Sequence, residues 1–192
     1  MFEVEINYDK ILSRKERNSV KYIRKFIDSD LCYDGKILII YGLRHTGKTS
    51  MLEHTLTSYR DKVKFAFLEA SVNDTMETVE QKIEEAKKDG ASVVCIDEIT
   101  KVSDFQMLSS ILPDRFAKAG IRVIITGNDS LGFNFAQNSE LFDRCKMIST
   151  THIPFTEYYR ILGINDIDDY IEYGGLMCQS KSEAFVKDYN SA

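Results

Sequence analysis

The residues whose spacing points most clearly to chemistry are 42–49, where GLRHTGKT fits the pattern G-x-x-x-x-G-K-[ST]. Glycines at both ends of such a loop let the backbone curl so that its N–H groups face inward. Those amides and the N-terminus of a following helix can bind a polyphosphate. A lysine here reaches the β- and γ-phosphates, and the next hydroxyl joins a Mg²⁺ shell. The predicted nucleotide-binding residues are Gly42, Leu43, Arg44, His45, Thr46, Gly47, Lys48, Thr49 and Ser50.

Two acidic residues end a separate apolar run, VVCIDEI. Asp97 is expected at the carboxyl end of a strand, beside the loop, where α/β sheets bind ligands. Its predicted role, with Thr49, is to hold Mg²⁺ directly or through a water. Glu98 is the predicted general base that polarises an attacking water. A strand that simply ends in charged residues at an exposed turn is the competing interpretation.

A third polar turn, in IITGNDS (124–130), follows another apolar run. If this strand lies between the strands of the two earlier motifs, Asn128 can hydrogen-bond the lytic water or the γ-phosphate. An ordinary polar turn is the alternative. His45 occupies a variable position of the loop and is interpreted as a solvent-facing residue. No other metal site than that for Mg²⁺ is predicted.

Short apolar runs alternate with amphipathic stretches along the chain, which predicts crossover connections and a parallel α/β sheet. Strands are predicted at 36–41, 63–69, 91–99, 121–126 and 146–153. Helices are predicted at 14–29, 47–60, 76–90, 105–120 (kinked or restarted at Pro113) and 154–163. The pattern becomes short, acidic and helical after about residue 160, which marks the candidate domain boundary.

Composition limits the remaining classes. The 192 residues are 43% hydrophobic and 29% charged, with a net charge of −5, so a disordered tail and a nucleic-acid coat protein are disfavoured. No apolar run approaches the ~20 residues of a membrane span, and the acidic N-terminus has no secretory signal. The four cysteines are far apart and form no disulfide or zinc pattern, and Cys95 is expected to be buried. These features favour a cytoplasmic protein without membrane association.

Together these residues resemble the AAA+-type ATPases of the P-loop class that has an additional strand and a catalytic glutamate. More narrowly, they resemble prokaryotic predicted ATPases whose AAA domain is fused to a C-terminal domain of uncharacterised function. The matching segments cover nearly the whole chain: GLRHTGKT (42–49), IDEI (96–99), TGN (126–128), FDR (142–144), IPFTEYY (153–159) and YIEYGGLM (170–177). This chain departs from the family pattern at His45 for Arg, Asn128 for Ser, Asp143 for Gly and Met177 for Pro.

The resemblance implies a P-loop NTPase three-layer sandwich: a five-stranded parallel sheet of order 5-1-4-3-2 with helices on both faces. Residues 1–160 would form the ATPase domain, with an N-terminal helical segment at 1–30. Residues 161–192 would be a short helical extension, the start of a truncated C-terminal region. The family's G-R pair falls at Arg144, whose guanidinium would stabilise charge on the phosphoryl group in its own site or a neighbour's. A surface arginine that begins a strand is the bland alternative.

The predicted function is Mg²⁺-dependent ATP binding and hydrolysis, as a switch or motor module of a larger protein. A non-catalytic nucleotide-binding regulator and a small P-loop kinase are the alternatives. A kinase would need an arginine-rich lid, and 127–150 offers only Arg144; GTP is disfavoured because no N-K-x-D motif is present. Homo-oligomerisation stays open. So does a DNA or protein partner, bound through a missing C-terminal domain or the first helix, whose basic residues are Arg14, Lys15, Arg17, Lys21, Arg24 and Lys25.

Overall fold

The described part of the chain forms one mixed sheet of six strands. The computed structural model describes residues 2–3, 6–12, 15–29, 35–103, 105–107, 111–128, 130–131, 143–163, 166–173 and 175–177. The strands are β1 (Phe2–Glu3), β2 (Ile37–Gly42), β3 (Phe65–Glu69), β4 (Val93–Asp97), β5 (Arg122–Gly127) and β6 (Cys145–Thr150). Their order across the sheet is β1-β3-β4-β5-β2-β6.

Five of these strands, β2 to β6, run parallel to one another. Their order is that of the expected 5-1-4-3-2 sheet, so the predicted fold is confirmed. The two-residue strand β1 was not predicted, and it pairs antiparallel with the outer edge of β3. Because β2 to β6 are parallel, their carboxyl ends meet at one edge, where the loops after β2, β4 and β5 converge.

Helices cover both faces of the sheet. Within the described ranges they are α1 (Tyr8–Leu12), α2 (Val20–Asp28), α3 (Lys48–Tyr59), α4 (Met76–Lys88), α5 (Phe155–Leu162) and α6 (Ile167–Tyr173). Two 3₁₀ turns (Ile99–Lys101, Phe105–Met107) and a π-helical segment (Leu112–Ala117) join them. Local chemistry sets the bounds of α4: the Thr75 hydroxyl accepts a hydrogen bond from the Thr78 N–H, and Gly90 follows with a positive φ.

The apolar runs supply the core on both faces at once. Along β2, Ile37 and Ile39 pack with α4 and the π-helical segment, whereas Leu38 and Ile40 pack with α2 and α3. A strand buried on both faces needs no polar alternation, which explains the continuous run KILIIY. Cys95 in β4 is buried, as predicted, and burial raises the pKa of its thiol.

Two predicted helices differ from the structure. The helix expected from residue 14 begins at Val20, because the preceding Arg17 and Asn18 donate hydrogen bonds to Glu157 of α5. In the expected helix 105–120, the described residues form a 3₁₀ turn and the π-helical segment, which has Pro113 near its start. Proline has no N–H to donate, so it removes a backbone hydrogen bond and disturbs the regular pattern of a helix. Residues 108–110 lie outside the described ranges.

The boundary proposed at residue 160 falls inside α5, which continues to Leu162. Of the proposed extension 161–192, the structure describes α6 and residues 175–177, and residues 178–192 lie outside it. The domain division itself stays a prediction. None of the described helices combines the length and apolar character needed to span a bilayer.

Candidate active site

The loop between β2 and α3 has a backbone that requires glycine at both ends. Gly42 has φ 137°, and a Cβ on it would lie 2.0 Å from the Thr150 carbonyl oxygen of β6. Gly47 has φ 84° and caps the N-terminus of α3. Between them His45 has φ 59°, a left-handed conformation that few residues adopt. The loop therefore lies close against β6 and directs its end into a helix, as the sequence motif predicts.

The side chain of Lys48, the first residue of α3, folds back into this loop. It is 6% exposed, and its Nζ donates to the carbonyl oxygens of Gly42 (2.9 Å) and Leu43 (2.6 Å). Of the other loop residues, Arg44 and His45 are exposed, and Thr46 is buried with its hydroxyl 2.9 Å from that of Thr150. A buried ammonium is therefore surrounded by loop backbone at the carboxyl edge of the sheet.

Thr49 and Asp97 come together at this edge. The Thr49 hydroxyl donates to Asp97 Oδ2 at 2.6 Å, although the two residues are 48 positions apart. Asp97 ends β4, is 4% exposed, and also accepts a hydrogen bond at Oδ1 from the Thr126 hydroxyl of β5. A hydroxyl and a carboxylate are hard oxygen ligands of the kind that Mg²⁺ takes alongside phosphate oxygens and waters. The two predicted metal residues therefore fit a Mg²⁺ ion.

Glu98 follows Asp97 in a left-handed conformation, with φ 57°. Its backbone N–H donates to the Thr126 hydroxyl at 3.0 Å, so one hydroxyl orients both acidic residues. Its carboxylate lies 3.8 Å from the Lys101 ammonium, which is also 3.6 Å from Glu69 at the end of β3. The predicted base thus faces the same cleft as the loop, beside a cation that the sequence analysis did not assign.

Asn128 follows β5, which lies between β4 and β2. The condition set for its predicted role is therefore met, because β5 lies between β4, which ends in the acidic motif, and β2, which leads into the phosphate loop. Its side-chain oxygen accepts hydrogen bonds from the backbone N–H (3.0 Å) and hydroxyl (2.5 Å) of Ser130. These bonds fix the side chain within its own turn, and its catalytic role stays a prediction.

Most of these groups line one cleft of about 730 Å³. This volume lies within the range typical of small-molecule sites. Its lining residues come from the loop, α3 and the ends of β3 and β4: Arg44, His45, Gly47, Lys48, Thr49, Ser50, Glu53, Phe67, Glu69, Asp97, Glu98, Lys101 and Met177. Both signs of charge line it, so it suits an anionic ligand with a divalent cation.

Arg144 is not part of this cleft. It precedes β6, and its carbonyl accepts a hydrogen bond from the Ile37 N–H at the start of β2. The loop follows the other end of β2, roughly 17–20 Å away for a six-residue strand. Its guanidinium donates to Asp114 at 2.6 Å instead. The Arg144 guanidinium thus lies away from its own cleft in this structure, and its predicted catalytic role, in its own site or a neighbour's, stays a prediction.

The basic residues of the predicted helix 14–29 do not form one continuous stripe. Arg17 is buried outside the helix and pairs with Glu157, and Arg24 pairs with Glu16 and bonds Ser58. Lys15, Lys21 and Lys25 are exposed, and Arg14 lies outside the described residues. The surface that the sequence offered to nucleic acid is thus smaller than predicted, and a DNA partner stays a prediction.

Two residues that are distant from the loop in sequence contact its backbone. The Arg17 guanidinium donates to the Thr46 carbonyl at 2.5 Å, and the Met177 N–H donates to the His45 carbonyl at 2.7 Å. Neither contact was predicted. The only sequence signals are a charged stretch, RKER, and the segment YIEYGGLM, and neither indicates a contact with residues 42–49.

A parallel sheet of this order, with a glycine loop, Lys48, Thr49 and Asp97 at its carboxyl edge, defines a P-loop nucleoside-triphosphatase fold. The family comparison is more specific, since the AAA domain model matches residues 34–159, more than half of the chain. The chain therefore belongs to the AAA domain family, which is of the nucleotide-binding ATPase type. The prediction of an AAA+ P-loop family is confirmed.

Solved structures of similar fold come from several AAA proteins. Cdc6p from Pyrobaculum aerophilum matches with a TM-score of 0.54 at 15% identity, over 97% of this chain and 58% of that one. Hsp104 of S. cerevisiae, solved in complex with casein, matches with a TM-score of 0.54 at 16% identity, over 87% of this chain and 33% of that one. PCH-2 of C. elegans matches with a TM-score of 0.52 at 18% identity, over 90% of this chain and 54% of that one. This chain thus spans between a third and three fifths of these proteins, and no curated protein sequence matches it.

Proposed function

We propose that the chain binds ATP with Mg²⁺, hydrolyses it, and serves as an ATP-driven switch or motor module of a larger protein. The observation that carries this proposal is the 2.6 Å contact between the Thr49 hydroxyl and the Asp97 carboxylate, beside the buried Lys48 ammonium. These three groups come from two separate sequence motifs and share one cleft. Their chemistry suits a metal-bound polyphosphate.

Each group has a separate task in binding. The loop amides and the Lys48 ammonium bind phosphate oxygens, with Nζ exchanging its carbonyl acceptors for them. Thr49 and Asp97 would hold Mg²⁺, which when bound neutralises phosphate charge. The Thr126 hydroxyl keeps the Asp97 carboxylate oriented toward Thr49.

Glu98 is the proposed general base for the attacking water, and Asn128 is proposed to orient that water or the γ-phosphate. The Glu98 backbone is held by Thr126, so the carboxylate starts from a fixed position. Lys101, 3.8 Å from the carboxylate, can hold it until ATP binds. The same contact favours a second candidate, a regulator that binds nucleotide without turnover, because an ammonium beside the base opposes its use.

The wider role rests on the size of the relatives. Because the chain spans only part of the AAA proteins that it matches, we propose that its output passes to a partner protein, DNA or a further domain. Homo-oligomerisation would bring Arg144 of one subunit near the cleft of the next. A cytoplasmic location is part of the same proposal.

Steady-state ATP turnover by the wild type and by Glu98→Gln tests hydrolysis directly. We expect Glu98→Gln to bind Mg-ATP with unchanged affinity and to lower kcat by about 10²–10⁴. Glu85→Gln removes an exposed carboxylate of α4 and serves as the control, with unchanged kcat. Equal kcat in Glu98→Gln and wild type would reject Glu98 as the base, and tight ATP binding with no wild-type turnover would favour the regulator.

A further inference from the structure

A buried arginine joins the segment before α2 and helix α5 to the phosphate loop. Arg17 Nη1 donates to the Thr46 carbonyl at 2.5 Å, and Nε donates to Glu157 Oε1 at 3.3 Å. The exposed fractions of Arg17 and Glu157 are 6% and 5%. The two residues are 140 positions apart, so the pair connects the segment before α2 with α5.

The contact with Thr46 has a direct consequence for the loop. In a trans peptide the carbonyl and the next N–H point in opposite directions. Fixing the Thr46 carbonyl toward Arg17 therefore turns the Gly47 N–H away from Arg17, at the N-terminus of α3. Met177 does the same one peptide earlier, because its N–H holds the His45 carbonyl and thereby orients the Thr46 N–H. Two consecutive peptide planes of the loop are thus fixed by residues that do not belong to the loop.

Glu157 holds the arginine in place. Its Oε1 also accepts a hydrogen bond from the Asn18 N–H at 2.7 Å, so the carboxylate orients both Arg17 and the chain just before α2. A buried charge needs a well-placed partner, and the planar guanidinium can contact Glu157 and Thr46 at once. A lysine at this position keeps the charge but offers one nitrogen in place of a fork.

We infer that Arg17 and Glu157 are positioning residues for the phosphate loop: they orient its peptide planes for anion binding without touching the nucleotide. This inference rests on the proposed function for the identity of the anion, ATP. It also predicts that nucleotide binding depends on contacts from both the segment before α2 and α5. The loop motif alone, 42–49, is then insufficient for full affinity.

The test compares Mg-ATP affinity by calorimetry among four full-length variants and the wild type. Arg17→Met/Glu157→Gln removes both charges, so neither of the two leaves an unpaired buried charge, and we expect the variant to fold. We expect it to bind Mg-ATP about tenfold more weakly or worse, the loss of one charge-assisted hydrogen bond. Arg17→Lys should lie between this variant and wild type. Glu157→Gln alone keeps an acceptor for Asn18 and should bind better than the double variant.

Arg24→Met is the matched control. Like Arg17, Arg24 pairs with a glutamate, here Glu16, but it does not contact the loop. Its affinity should equal that of the wild type. Hydrogen exchange of peptides covering 42–49, measured without nucleotide, gives a second readout that does not depend on ATP. Exchange there should be faster in Arg17→Met/Glu157→Gln than in wild type and unchanged in Arg24→Met.

The two readouts separate the two proposals. If the wild type does not bind ATP but the double variant still loosens 42–49, the proposed function fails and the positioning role stands. If the folded double variant has both wild-type affinity and wild-type exchange at 42–49, the positioning role is overturned. A lowered melting temperature with unchanged affinity and unchanged loop exchange would also overturn it, since that result describes a merely structural ion pair.

Discussion

Thr126→Val removes the hydroxyl that orients both acidic residues of the site while keeping the side chain's volume. The Thr126 side chain is fully buried, and its hydroxyl donates to Asp97 and accepts from the Glu98 N–H. Valine can do neither, so a buried carboxylate oxygen and a backbone N–H each lose a partner. We expect a less stable protein and a misplaced Asp97–Glu98 pair.

The magnitude follows from the two bonds. A hydrogen bond to a charged group contributes about 1.5–3 kcal/mol and a neutral one about 0.5–1.5, so the total loss is roughly 2–4 kcal/mol. For a domain of this size each kcal/mol lowers Tm by about 2–4 °C, which gives a fall of roughly 5–15 °C. Differential scanning calorimetry measures that fall, and an ATP turnover assay measures the accompanying loss of kcat.

Thr55→Val is the control, because its buried hydroxyl donates only to the Met51 carbonyl within α3. Its loss should cost about 0.5–1.5 kcal/mol, as for one neutral hydrogen bond, and leave kcat unchanged. Thr126→Ser keeps the hydroxyl and should keep most of the turnover. If Thr126→Val and Thr55→Val show the same Tm and the same kcat, the hydroxyl does not organise the site and the reasoning is refuted.

Two further predictions follow from backbone and distance. Gly42→Ala should lower Tm and weaken ATP binding because its Cβ would lie 2.0 Å from the Thr150 carbonyl oxygen. Gly120 also has a positive φ (88°), but a Cβ there would meet nothing within 4 Å, so Gly120→Ala should show only the cost of strain, about 1–3 kcal/mol. Equal Tm values for the two variants would contradict the clash. Arg144→Ala should bind ATP normally and, in an assembly, lower kcat by up to about 10³–10⁵. Wild-type specific activity should then rise with protein concentration, and an unchanged kcat for Arg144→Ala at every concentration would mean that Arg144 is structural.

Much of the fold follows from local sequence. The run KILIIY predicts a strand buried on both faces, and the alternation of such runs with amphipathic stretches predicts the parallel sheet. The strand order was implied by the family resemblance rather than by the residues, and the structure confirms it. The strand Phe2–Glu3 was missed because two residues carry no periodic signal, and its pairing with β3 is a tertiary contact.

The site was predictable where one motif sets its own geometry. Gly42, Gly47 and Lys48 act through the local backbone, so their placement could be derived from spacing. The Thr49–Asp97 contact required the two motifs to lie on neighbouring loops, which the parallel order ensures.

Other contacts depend on where distant segments pack. Arg17 and Glu157 are 140 positions apart, and in the sequence Arg17 is one of several basic residues before a helix. Arg144 stands at the position of the family's G-R pair, but the sequence cannot say at which end of the sheet it lies. Tertiary packing decided each of these positions.

The central claim is that residues 42–49 bind the phosphates of ATP through Lys48, and calorimetric titration of Mg-ATP into wild type and Lys48→Ala tests it most directly. The Lys48 Nζ donates to the carbonyls of Gly42 and Leu43, both within the loop, so its removal should leave the circular dichroism spectrum unchanged. The account predicts saturable binding by the wild type and binding weakened at least about tenfold in Lys48→Ala, the equivalent of a lost charge-assisted contact. Equal affinity in the two folded proteins would contradict it.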